Sequence, residues 1–280
     1  MTSFIKLMRP KHFVKNILIF APIVYAGSLG YGQAVFSAFM AFVAFCLAAS
    51  AVYVVNDIVD CKKDALHPVN KFRPIASGKI SKRAGAVFSS FLVAAGFGLA
   101  GLFTNWIVLV CIAFYVLLNL LYTYWLKNVP VLDCFCVAGG FVIRIFAGGA
   151  AVDVAVSEWL FLTVLAGALF MAFGKRRGEM AKLGKGNARR VLEGYELNFL
   201  NGMVYGLAGI SIVFYAMWAI TSTDLMIYTV PLVIFIICKY LLNSQKEDSL
   251  GDPVSIIFAD YVLVTAVIIF GILSGVFLYL

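Results

Sequence analysis

Long apolar runs separated by short polar segments recur along nearly the whole 280-residue chain. A run of roughly 20 apolar residues crosses the hydrocarbon core as one helix, because only a helix satisfies its own backbone hydrogen bonds there. The runs predict spans at 17–31, 34–56, 84–103, 106–126, 131–152, 159–174, 198–220, 225–243 and 257–280. The first and sixth are short for a straight crossing, so about nine spans are expected and eight is the nearest rival. No tail, soluble segment or low-complexity stretch is left over. The pattern therefore predicts an all-α polytopic membrane protein with a single domain over residues 1–280.

Composition agrees with the pattern. The chain is 63% hydrophobic and 13% charged, more apolar surface than a water-soluble domain can hide inside a polar exterior. The segment Met1–Asn16 carries Lys6, Arg9, Lys11 and Lys15 but opens into a full span with no evident cleavage site, so no cleaved leader is expected. Most of the six cysteines lie inside apolar runs and read as small buried hydrophobes. Cys134-x-Cys136 has neither zinc nor redox spacing.

Charge sets the orientation. With the N-terminus inside, 21 of the 22 Lys and Arg fall in or beside inside loops, and the remaining one, Arg144, lies within the fifth span. The outside loops hold no Lys or Arg at all, and their only charged residues are Asp153, Glu158 and Asp224. Loop Lys/Arg bias fixes topology, so the N-terminus and the charged chemistry are expected on the cytoplasmic side of a bacterial inner membrane. The basic excess serves topology, and no nucleic-acid partner is expected. Two inside loops, Asp57–Arg83 and Lys175–Leu197, are about 25 residues long, and long loops in a compact domain usually carry function. Their similar placement in two halves of the chain suggests a weak internal duplication.

The second span runs into Asn56-Asp57-Ile58-Val59-Asp60-Cys61-Lys62-Lys63-Asp64. On a helix, Asp57, Asp60 and Asp64 share one face, with Asn56 beside Asp60. Three like charges on one face need a cation, and Mg²⁺ prefers carboxylate oxygens together with substrate phosphates. A solvated acidic helix end is the alternative. Lys71 and Arg73 follow and could clamp an anionic substrate against the metal, although topology alone also explains basic residues there. Lys15 and Asn16, at the membrane surface, are further candidates for reaching phosphates. For Arg144 a functional role and a fixed structural pair both stay open, since a charge within a span needs a polar cavity or a partner. Asp133 suits the N-terminus of the fifth span. Tyr115, Asn119 and Tyr122 fall on one face of the fourth, as cavity lining or as interhelical hydrogen-bonding groups. His12 and His67 read as loop residues.

Asn56-Asp57-x-x-Asp60-x-x-x-Asp64, then Asn70-Lys71-x-Arg73-Pro74-Ile75-x-x-Gly78, resembles the first aspartate-rich motif of the UbiA superfamily of intramembrane prenyltransferases. Tyr122-Thr123-Tyr124-Trp125-Leu126-Lys127 running into Val131-Leu132-Asp133 is similar to the same superfamily. The resemblance implies a bundle of about nine helices around a central cavity, with a cytoplasmic cap, a lateral opening for a polyprenyl chain and bound Mg²⁺. Its implied metal ligands are Asn56, Asp57, Asp60 and Asp64, with Asp57 and Asp60 catalytic.

One departure narrows the resemblance. Where ordinary members carry a second Asp-x-x-x-Asp cluster after the sixth span, this chain reads Phe173-Gly174-Lys175-Arg176-Arg177-Gly178-Glu179. That change is similar to the polyprenyl-phosphate phosphoribosyltransferase branch, whose type member acts on decaprenyl phosphate. So are Arg9-Pro10-Lys11-His12-Phe13-Val14-Lys15-Asn16, the segment around Arg144, and Arg189-Arg190-Val191-Leu192-x-x-Tyr195. The branch implies transfer of 5-phosphoribose from phosphoribosyl diphosphate to a polyprenyl phosphate. Lys15, Asn16, Asn56, Lys71, Arg73, Tyr122, Arg144, Lys175, Arg176 and Glu179 are then the substrate-binding set. A prenyltransferase acting on an aromatic or quinone precursor is the first alternative, and a lipid transporter the second. The state of association, monomer or homo-oligomer, is left open.

Overall fold

The computed structural model describes residues 2–66, 70–183, 190–245 and 253–279, and every regular element among them is helical. Two compact units are formed, Met1–Tyr124 with Ile143–Ala155, and Trp125–Val142 with Val156–Leu280.

The first unit opens with α1 (Thr2–Met8), a 3₁₀ stretch Pro10–Phe20, α2 (Ala21–Tyr25) and a short 3₁₀ turn, Ser28–Gly30. It continues with α3 (Gly32–Val59), α4 (Cys61–Leu66), α5 (Lys82–Phe103) and α6 (Trp106–Tyr124). Helix α7 (Leu132–Ala151) is divided, its residues from Ile143 onward belonging to the first unit and its earlier ones to the second. The second unit adds α8 (Glu158–Leu183), α9 (Leu197–Ser222), α10 (Val230–Ser244), α11 (Pro253–Phe258) and α12 (Tyr261–Tyr279).

Among the described residues, eight helices are long and apolar enough to cross a membrane. They answer to the second through ninth predicted spans. The predicted first span, 17–31, is not a regular helix. Pro22 has no N–H to donate to the preceding turn, and the winding changes from 3₁₀ to α at Ala21. The chain nevertheless runs the length of α3 here, because Arg9 meets Asp57 near one end of that helix while Gly32 begins the other. A 3₁₀ helix rises about 2 Å per residue against about 1.5 Å for an α-helix, so Pro10–Tyr25 extends about 30 Å, the thickness of a hydrocarbon core. The sixth predicted span, 159–174, is also revised: α8 continues to Leu183. Apolar residues stop at Gly174, but the Lys/Arg/Glu/Met/Ala sequence that follows remains helix-favouring, and Arg176 pairs with Glu179 one turn on.

Small residues set the packing. Ala41, Ala44 and Ala48 of α3 are fully buried against a face of α5 that carries Gly85, Ser89, Leu92, Gly96 and Ala100. Without a hydrophobic drive between helices in lipid, such close backbone approach supplies the attraction. Backbones also meet closely at Gly148, where an added Cβ would lie 2.0 Å from the carbonyl oxygen of Ile19. In the second unit α8 and α9 pack through Ala168, Ala172 and Phe173 against Leu200, Val204 and Ala208.

Candidate functional site

The foot of α3 bends where a straight helix was expected. Asp60 is its C-cap, at φ −86° and ψ 3°, and α4 starts one residue later. Asp57, Asp60 and Asp64 therefore do not share one continuous helical face. Asp57 and Asp64 are nonetheless drawn together, both almost fully buried. Arg73 Nη1 donates to Asp57 Oδ1 at 3.2 Å and to Asp64 Oδ2 at 2.7 Å. Arg9 Nη2 donates to the same Asp57 oxygen, and Asn70 Nδ2 donates to Asp64 Oδ1 at 3.0 Å. Two buried carboxylates without partners would be costly, by several kcal/mol each, and here two guanidinium groups compensate them.

The loop that delivers Arg73 is held by its own packing. Ile75 and Ile80 are buried with Leu7 of α1 and Val54 of α3, and the Ile80 N–H donates to the Pro74 carbonyl at 3.0 Å. Asp60 is half-buried at the bend. Asn56 Oδ1 is buried and has no hydrogen-bond partner, an oxygen left for a ligand outside the protein's own donors. Lys71, expected beside Arg73 as a clamp, is exposed with Nζ 5.2 Å from the Phe72 ring. Among the described residues no three His, Cys, Asp or Glu side chains gather closely enough to hold a metal ion as they stand. The expected acidic face is instead an acid–arginine cluster.

Deeper in the same unit lies Arg144. It is 4% exposed, and its Nε donates to Asn16 Oδ1 at 2.6 Å and its Nη2 to Tyr115 Oη at 3.0 Å. The guanidinium also stacks over the Tyr115 ring at 4.6 Å, a cation–π contact that desolvation strengthens. A fixed structural pairing is thus present. Asn16 is itself buried within the protein and donates to Cys46 Sγ at 3.1 Å.

The second unit carries its own charged cluster at the start of α7. Asp133 is fully buried, accepting from Arg176 Nε at 2.5 Å and from Tyr195 Oη at 2.7 Å. Arg176 Nη1 also donates to Glu179 Oε2 at 2.9 Å. Arg176, expected to grip a phosphate, is thus committed to two carboxylates, and Asp133 does more than stabilise a helix end. The Val131 N–H donates to Tyr195 Oη at 2.6 Å, while Val131 itself sits at φ +69°, a left-handed conformation that a β-branched residue adopts only under constraint. Gly194 makes the junction: a Cβ there would lie 2.5 Å from Pro130 Cγ. Burial, then the hydrogen bond to Asp133, pushes the Tyr195 phenol well above its ordinary value. It therefore remains protonated and donating.

Arg177 Nε donates to Asn201 Oδ1 at 2.6 Å. Lys15, Tyr122 and Lys175 are half-buried. His12 packs against Tyr53 with ring centroids 5.4 Å apart, whereas His67 and Arg189 lie outside the described residues. All six cysteines are free thiols. Reading the sequence missed Arg9, Asp133 and Tyr195 as members of charged clusters. Their signal was present, since each falls in a segment that carried the family resemblance, but the topology bias masked Arg9 and helix-end electrostatics masked Asp133.

Residues 17–259 match the profile of the UbiA prenyltransferase family. The chain is 36% identical to the decaprenyl-phosphate phosphoribosyltransferase of Corynebacterium glutamicum, over 92% of this chain and 81% of that one. It is 34% identical to the protein of the same name from Mycolicibacterium smegmatis, over 94% of this chain and 88% of that one. A UbiA homolog from Archaeoglobus fulgidus, solved bound to GPP and Mg²⁺, shares the fold with a TM-score of 0.72 at 18% identity, over 99% of this chain and 96% of that one. With eight membrane-length helices among the described residues and an aspartate-rich span foot, the chain is a multi-pass membrane protein and belongs to the UbiA prenyltransferase family.

Proposed function

We propose that the protein transfers 5-phosphoribose from phosphoribosyl diphosphate to a polyprenyl phosphate and releases diphosphate. The observation that carries this reading is the identity of 36% and 34% with two decaprenyl-phosphate phosphoribosyltransferases over more than nine-tenths of the chain. The acceptor phosphate is already anionic, so its oxygen forms the new bond to ribose C1 as the bond from C1 to the diphosphate oxygen breaks. No general base is required, and no side chain need be deprotonated. Charge develops on the departing diphosphate and at C1, where fixed cations act most effectively.

A divalent metal belongs to this reading, because the related A. fulgidus protein was solved with Mg²⁺. The residues present fit one: Asn56 offers a buried oxygen with no partner, and Asp57, Asp60 and Asp64 offer hard carboxylate oxygens of the kind Mg²⁺ prefers. Asn56, Asp57, Asp60 and Asp64 would hold Mg²⁺, which would neutralise the leaving diphosphate. Arg73, about a quarter exposed and bonded to Asp57 and Asp64, is proposed to hold a phosphate beside them. Lys175 is proposed as a second phosphate ligand from its place in the sequence, while Arg176 and Glu179 act through the ion pair they make with each other. The Lys/Arg bias supports a site on the cytoplasmic side of a bacterial inner membrane.

The test is incubation of the purified protein with Mg²⁺, radiolabelled phosphoribosyl diphosphate and a panel of polyprenyl phosphates. Labelled lipid formed only with Mg²⁺ is expected. Absence of label, with turnover of a prenyl diphosphate onto an aromatic acceptor, would move the protein to the ordinary prenyltransferases.

A further inference from the structure

Arg9 has no role in the reading above, yet it is bound to the residue most central to it. Asp57 Oδ1 accepts from two guanidinium groups at once, those of Arg9 and Arg73. Asp57 and Asp64 carry two negative charges, and Arg9 and Arg73 carry two positive ones, so this buried set is neutral as it stands. A divalent cation arriving alone would add two positive charges to this poorly solvated set, of which the half-buried Asp60 carboxylate offsets only one, and the uncompensated remainder is unfavourable. The same cation arriving with a diphosphate leaves no such remainder, provided the arginines turn to the phosphates.

The two arginines can turn without unfolding their surroundings. Their side chains are 19% and 28% exposed, whereas the carboxylates they hold are 2% and 7% exposed. The Arg9 backbone is pinned on both sides. Leu7 is fully buried, Ser50 Oγ donates to the Met8 carbonyl at 3.0 Å, and the His12 N–H donates to the Arg9 carbonyl at 2.9 Å. Arg9 sits at φ +53°, a left-handed geometry that costs a non-glycine residue about 1 kcal/mol and that aims its side chain across the foot of α3. Its guanidinium already lies 5.0 Å from the Tyr53 ring, a surface on which a planar cation can slide while exchanging partners.

We infer that Arg9, together with Arg73, is an exchangeable counterion: it holds Asp57 in the metal-free protein and passes to the substrate's diphosphate when a divalent cation takes the carboxylates. Metal and anion therefore bind as a pair, and Arg9 is a phosphate ligand of the loaded site. The inference rests on the metal-dependent transferase reading, but not on which group is transferred, since diphosphate is the leaving group in either case.

The experiment is equilibrium dialysis of the full-length protein in detergent against labelled Mn²⁺, with and without labelled inorganic diphosphate. Wild type is expected to retain Mn²⁺ weakly alone and at least about tenfold more tightly with diphosphate. Arg9→Gln removes the competitor and the ligand together. It should bind Mn²⁺ alone about threefold more tightly or better, while the tightening by diphosphate shrinks at least about fivefold. Arg9→Lys keeps the charge and should stay within about twofold of wild type in the metal-alone arm. Unchanged values in Arg9→Gln, or parallel weakening of both arms while Arg9→Lys behaves as wild type, would make Arg9 a structural counterion and overturn the exchange. Failure of wild type to retain Mn²⁺ even with diphosphate would instead overturn the metal reading itself, and the exchange with it.

Discussion

Replacing Tyr195 by Phe deletes one oxygen that meets three partners in the second unit, the weakest of them Cys134 Sγ at 3.8 Å. That hydroxyl donates to the fully buried carboxylate of Asp133 at 2.7 Å and accepts the Val131 N–H at 2.6 Å. The ring stays, packed against Phe173 and Phe199 at centroid distances of 6.3 and 6.0 Å, so hydrophobic packing is nearly unchanged. A hydrogen bond to a charged group contributes about 1.5–3 kcal/mol, and a partly buried N–H left without its partner costs up to about 1 kcal/mol more. The two are not independent, which puts the expected loss at about 2–3 kcal/mol. Because the phenol's ionisation is displaced upward by burial and by Asp133, this loss should not vary between mildly acidic and mildly alkaline pH. The assay is reversible unfolding of wild type and Tyr195→Phe by SDS titration in mixed micelles. A companion variant, Val131→Gly, tests the strain: Gly occupies the φ +69° backbone freely, and in the Tyr195→Phe background it should recover about 1 kcal/mol. A loss below about 0.5 kcal/mol, the range of a surface change, would refute the reasoning.

Gly148→Ala forces a methyl to within 2.0 Å of the Ile19 carbonyl oxygen, backbone against backbone, and should destabilise by at least about 3 kcal/mol in the same titration. Asp60→Ala removes one of the proposed metal ligands, so it should lower Mg²⁺-dependent turnover at least about 100-fold; surviving activity would remove Asp60 from the metal site. Lys71→Ala, at an exposed side chain, should change kcat/KM less than about threefold, whereas Lys175→Ala should chiefly raise the KM for phosphoribosyl diphosphate. At the start of α12, partial desolvation of Asp260 is outweighed by its hydrogen bonds to Lys239, Asn243 and the Leu263 N–H, and its carboxyl is lowered from 3.8 to about 2. A carboxyl depressed on folding stabilises above its unfolded value and loses that contribution as pH falls through the folded one. The stability gap between wild type and Asp260→Asn should therefore be constant at neutral pH, narrow below 3.8 and vanish below about 2; a gap that widens in acid would contradict it.

The sequence by itself determined the membrane class, the helix positions and the family. Apolar runs place the second through ninth spans to within a few residues, except at the end of α8, because in hydrocarbon the backbone has only the helix to satisfy its hydrogen bonds. The Asn56–Asp64 motif marked the foot of α3 as the place where buried charge had to be compensated, because such residues beside an apolar span require partners. What the sequence left undecided was the identity of the compensating partners. Arg9 and Arg73 reach Asp57 from 48 and 16 residues away, Arg176 reaches Asp133 from 43, and Arg144 finds Asn16 across 128. Arg9, Arg73 and Arg176 sit where the topology bias alone explains a basic residue, and Arg144 reads either as a functional group or as half of a fixed structural pair, since local spacing constrains only neighbours on the same helix. Tertiary structure decided which carboxylate each one met, because burying a charge selects the nearest opposite charge or dipole in space, and that distance is a property of packing.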